Sequence, residues 1–78
     1  MPRYFFDVLD GGLIRDEEGL ELASIEAARM EVLRTLPAMA ADVRTQREAR
    51  QLRIDVRDQS GKYVLVGTLT VVVEELDL

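Results

Sequence analysis

The sequence predicts an α+β domain of order β-β-α-β-β, an antiparallel sheet of three or four strands with one helix, kinked at Pro37, packed on one face. Three patterns carry that expectation. Asp10-Gly11, a strong hairpin signal, separates the apolar run of residues 3–9 from Leu13-Ile14. Apolar residues then recur at 25, 28, 32, 36, 39 and 43, close to a 3.6-residue period. From Gln51 the period falls to two, and a glycine-bearing turn leads into a second β-branched run.

Tyr4, Phe5, Phe6, Val8 and Leu9 supply the aromatic and branched side chains that favour a pleated, partly buried surface, so residues 3–9 are the first strand. A type I′ turn at Asp10-Gly11 returns the chain into Leu13 and Ile14. Asp16-Glu17-Glu18-Gly19 has Asp first and Gly fourth, as a type I turn prefers, which leaves the second strand short or broken. Ser24 is placed to cap the helix that starts at Ile25, and Glu26 puts a negative charge near its positive end. Pro37 lacks an N–H and its ring opposes the carbonyl of Leu33, so a kink or a junction of two short helices is expected there, with the second half reaching about Arg47.

Leu52, Ile54 and Val56 alternate with Arg53, Asp55 and Arg57, the pattern of a half-buried strand with a charged outer face. Asp58 to Lys62 forms a hairpin loop, and residues 63–73 make a long final strand. The expected core is Tyr4, Phe6, Val8, Leu20, Leu22, Ile25, Ala28, Val32, Leu36, Met39, Val43, Leu52, Ile54, Val56, Leu65 and Leu69, with Val71 and Val73 continuing the inward set.

A chain of 78 residues is one domain, residues 1–78, of a size that buries only roughly 60–65% of its unfolded surface. It has no cysteine and no histidine, so neither disulfides nor the usual transition-metal ligands are expected, and no cofactor is expected either. Self-association is the remaining source of stability. With 47% apolar and 32% charged residues the chain should be ordered, and without a leader or a long apolar stretch a cytoplasmic, membrane-free location is expected.

The net charge of −5 opposes non-specific binding to nucleic acid. It is uneven, because residues 34–62 carry seven basic residues against four acids.

The blocks Pro2-Arg3-Tyr4-Phe5-Phe6, Asp10-Gly11, Asp16-Glu17-Glu18-Gly19-x-Glu21-Leu22 and Ala27-Ala28-Arg29 resemble the shared positions of a family of small bacterial proteins known as a domain of unknown function. Leu36-Pro37, Val56-Arg57-Asp58-x-x-Gly61 and Leu69-Thr70-x-Val72 extend the likeness over essentially the whole chain. The resemblance implies a soil or plant-associated bacterial origin of the rhizobial kind, and it implies no catalytic or binding residues.

Four candidate sites remain. The acids Asp7, Asp10, Asp16, Glu17, Glu18 and Glu21 could attract Ca²⁺ or Mg²⁺, but a calcium loop from Asp10 to Glu21 fails at Gly12, Ile14 and Arg15, so a solvated turn is the expectation. Arg44, Arg47, Arg53 and Arg57 are possible anion contacts, with Arg50 in the same run. Their structural reading is a helix C-terminus followed by the outer face of a strand. Ser24 and Ser60 are explained as cap and turn residues with no histidine to activate them, so enzymatic activity is not expected.

The fourth is a surface. Phe5, Leu9, Val64, Val66, Thr68, Thr70 and Val72 alternate away from the helix and form a possible self-association face, or else scattered surface residues. The expected function is a small interaction module that homodimerises through its sheet face or its final edge strand. The alternatives are a regulatory nucleic-acid binder using residues 44–57, and a small-ligand or enzymatic domain.

Overall fold

A computed structural model describes residues 1–41 and 49–77 of the chain. The first strand, β1, spans Arg3–Leu9; β2 (Leu13–Ile14) and β3 (Leu20–Glu21) follow; α1 runs Ile25–Ala40; β4 (Ala49–Arg57) and β5 (Tyr63–Val72) complete the fold. The class is α+β, as the sequence predicts, but the antiparallel sheet has five strands, not three or four. The fifth arises because the expected second strand is cut in two.

Both pieces pair with the same edge of β1. Val8 and Leu9 oppose Ile14 and Leu13 in β2, while Arg3 and Tyr4 oppose Glu21 and Leu20 in β3. The other edge of β1 pairs with β4, from Phe5 opposite Arg57 to Leu9 opposite Arg53. β5 pairs with β4 over nearly its whole length, with an irregularity at Val56/Arg57, and lies at the free edge of the sheet.

The first hairpin loop differs from the expected type I′ turn. Leu9 opposes Leu13, so three residues form the loop, and Gly11 alone among them has positive φ, at 75°. A three-residue loop needs one left-handed residue, which glycine adopts without steric cost, so Asp10 remains in an ordinary conformation.

α1 is a single helical element through Pro37. Ser24 caps it, its Oγ accepting from the Ala27 N–H at 3.2 Å. Pro37 stands four residues from the end on the exposed side, where the Leu33 carbonyl can be hydrated; the loss of its intrahelical donor therefore falls on the final turn. The expected continuation to Arg47, and Val43 with it, lies outside the described residues.

α1 lies over β4 and β5 and buries Ala28, Val32 and Leu36 against Leu52, Ile54, Val56 and Tyr4. Full burial of Leu52, Ile54 and Val56 contributes about 1.5–3 kcal/mol each. Phe6, Val8, Leu22, Met39, Leu65 and Leu69 pack around them.

Three expected core residues are exposed instead: Leu20 at 43%, Ile25 at 40% and Val73 at 64%. Leu20 belongs to a two-residue edge strand, Ile25 opens the helix, and Val73 follows the end of β5, so none has a second layer above it among the described residues. Gly67 is a contact that the strand period alone does not mark. It faces the helix so closely that a Cβ there would lie 2.3 Å from Val32 Cγ1.

Candidate functional site

The face of the sheet away from α1 holds the densest polar arrangement among the described residues. Asp7 in β1 and Arg57 in β4 sit on adjacent strands with their side chains on this face, because Phe6 and Val56 point to the helix. Arg57 grips Asp7 with two donors, Nε to Oδ2 at 2.9 Å and Nη2 to Oδ1 at 3.0 Å. Nη2 also donates to the Asp16 carbonyl at 2.8 Å, and the Tyr63 hydroxyl donates to Asp7 Oδ2 at 3.4 Å. The guanidinium carbon stands 4.9 Å from the centre of the Phe5 ring, a cation–π contact.

The broken second strand completes this cluster. Phe6 sits midway between the residues that pair with β2 and β3, so its N–H has no strand partner on that side. Asp16 Oδ2 accepts from it at 3.0 Å, while Asp16 Oδ1 accepts from the N–H groups of Glu18 and Gly19, each at 3.1 Å. The Asp16 N–H in turn donates to Asp7 Oδ1 at 3.0 Å. One carboxylate thus replaces the missing stretch of strand.

Gly19 permits the closure. It has φ of 71°, and a Cβ there would approach the Tyr4 carbonyl oxygen to 2.8 Å.

Asp7 is 2% exposed and Arg57 is 8% exposed, so this is a desolvated ion pair. The Arg57 hydrogen bond chiefly, against the opposing effect of burial, holds the Asp7 pKa below the usual carboxylate value. Asp7 correspondingly raises that of Arg57. Burial is the largest single influence on Asp16 and opposes its ionisation, but the N–H donors of Phe6, Gly19 and Glu18 together outweigh it and keep its pKa low.

A depressed carboxylate pKa adds stability that is present above the unfolded value near 3.8 and is lost as pH falls through the folded value. Urea denaturation of the wild type should therefore show stability nearly constant from about pH 5 to 8 and falling steeply below about pH 4. In Asp7→Asn that acid slope should be shallower. An equal slope in both proteins would remove Asp7 as its source.

Every buried side-chain polar atom among the described residues has a hydrogen-bond partner. A guanidinium already bound by a carboxylate and a carbonyl has little left for a ligand, so the cluster acts as a clamp holding β1, β4, β5 and residues 15–19 together. The acidic turn is accordingly less solvated than its sequence suggests, since Asp7 and Asp16 are tied into this clamp. Among the described residues no three such side chains converge to hold a metal ion.

The expected anion contacts are dispersed. Arg53 is on the open face of β4 and pairs with Asp55 at 2.6 Å. Arg57 is the clamp residue, and Arg44 and Arg47 lie outside the described residues. Arg50 lies on the helix side and binds Asp10 at 2.7 Å.

The proposed contact residues divide into two groups. Phe5 and Leu9 lie half-buried on the open side of β1. Val66, Thr68, Thr70 and Val72 line the open side of β5 and are exposed, and Val64 is half-buried beside the strand irregularity. Between the two groups runs the polar row Gln51, Arg53, Asp55 and Arg57, so the open face is not one apolar patch.

No helix among the described residues is long and apolar enough to cross a membrane. The family model described as Domain of unknown function (DUF6894) matches residues 3–70. No curated protein and no solved structure matches the chain.

Proposed function

This chain belongs to the family described as Domain of unknown function (DUF6894), and we propose that it serves as a small interaction module that pairs with a second copy of itself along β5. One observation carries the reading: β5 is ten residues long, lies at the free edge of the sheet, and has a row of backbone donors and acceptors directed away from β4.

Edge strands in monomeric proteins are normally blunted by charge, proline, shortness or a covering element. From Tyr63 to Val72 there is no charged residue and no proline. Val66 is 57% exposed and Val72 56% exposed, which adds apolar side chains to the unpaired backbone. Face-to-face packing of two sheets is less favourable, because it would bury Arg53 and Asp55 on the polar row of β4.

Multi-angle light scattering at micromolar concentration should return the mass of a dimer. Val66→Lys and Thr68→Lys should each weaken association at least about tenfold, since a charge on an edge opposes pairing and Lys at position 68 would approach its symmetry mate. A wild-type monomer under those conditions, with the two variants indistinguishable from it, overturns the reading.

A further inference from the structure

Building on the pairing of β5, we infer that the two copies join antiparallel about a two-fold axis, so that α1 of the second copy seats beside α1 of the first with Leu33 at the centre of the contact. The groove that receives it is lined by Arg29, Val32, Leu33, Leu65 and Gly67 and has a volume of about 230 Å³.

Charge sets the direction. The uncharged strand is preceded by Lys62 and followed by Glu74, Glu75 and Asp77. Antiparallel pairing lays Lys62 of each copy beside Glu74 and Glu75 of the other, whereas parallel pairing places like charges together at both ends. An antiparallel pair related by a two-fold has its axis perpendicular to the sheet, which puts both helices on the same side of one continuous sheet.

Spacing then brings the helices into contact. Neighbouring strands lie about 4.8 Å apart, and α1 lies over β4 and β5. A helix placed roughly midway over that strand pair in each copy lies about 10 Å from its mate across the β5 seam, within the range of directly packed helices.

The flank of α1 on that side matches the role. Leu33, which lines the groove, is 51% exposed and has no partner layer among the described residues. Gly67, near the middle of β5, packs against Val32 and Leu36. Residues opposed across an antiparallel two-fold seam share a face, so the axis passes at a single residue. Centred on Thr68, it sets Val64 opposite Val72 and Lys62 opposite Glu74 of the other copy. The axis then lies beside Gly67 and level with this part of the helix, so that Leu33 meets its own symmetry mate.

The absence of cysteine allows a clean test. Leu33→Cys and Thr68→Cys, made separately at exposed positions, are oxidised at micromolar concentration and run on non-reducing gels, with Glu17→Cys on the far edge as control. Circular dichroism confirms that each variant is folded. Both test variants should shift from the monomer to the dimer band, and the control should not. Linkage of Thr68→Cys without Leu33→Cys overturns the helix contact and leaves the strand pairing intact. Linkage of Leu33→Cys alone, or of neither, overturns both.

Discussion

Replacing Asp7 by alanine is expected to remove about 3–5 kcal/mol of folding stability, the cost of leaving one member of a buried ion pair uncompensated. Domains of this size commonly have a total stability of the same order, so the variant should be largely unfolded or melt more than about 12 °C below wild type. The loss is large because Asp7 anchors more than Arg57. It also accepts the Asp16 N–H, and Asp16 in turn satisfies the Phe6 N–H in the gap of the broken strand.

The sign of the double variant separates this account from a simple loss of packing. Asp7→Leu with Arg57→Leu removes both charges and should be more stable than Asp7→Ala, because no buried charge is left alone. Chemical denaturation of Asp7→Leu, of Arg57→Leu and of the double variant gives the coupling directly. Strictly additive losses would contradict the clamp.

Gly67→Ala is the second large effect, expected at about 1–3 kcal/mol of destabilisation from overpacking. The added methyl would lie 2.3 Å from Val32 Cγ1 and 3.2 Å from Leu36 Cδ1, in the centre of the helix–sheet interface. Backbone strain plays no part, since Gly67 is not among the glycines with positive φ. Combining it with Val32→Ala should cost less than the sum of the two single changes, because the smaller side chain opens the space the methyl needs. Additive losses in urea melts would show that the close approach of α1 to β5 is not the cause.

Much of this architecture is legible in the residues. The 3.6-residue period from Ile25, the Ser24 cap and the two-residue period of Leu52, Ile54 and Val56 each report a local rule that tertiary packing reinforces. The sheet count was not legible. Leu20 and Glu21 make too short a segment to show a period, and they form a strand only because β1 has an edge to offer them.

The clamp was hidden for a related reason. Asp7 stands among aromatic and branched residues in a strand, and Arg57 alternates with core residues in another. Each is therefore placed on the outer face by period alone. Their approach depends on the register that sets Phe5 opposite Arg57, which no local pattern contains. The one available signal was an acid between Phe6 and Val8 in a strand, where burial demands a cationic partner.

Gly67 illustrates the complementary case. A glycine inside a β-branched strand signals close approach by something else. Identifying that neighbour as Val32 required the placement of α1 over β4 and β5.

The central claim is that β5 is a paired strand and not a bare edge. Residue-resolved hydrogen exchange of its backbone amides tests it most directly, because alternate N–H groups of β5 point toward β4 and away from it. The account predicts that the amides directed away from β4, within Val64–Val72, are protected at micromolar to millimolar concentration and lose that protection on dilution. Those directed toward β4 should stay protected throughout. Unprotected outward amides at every concentration would contradict the account.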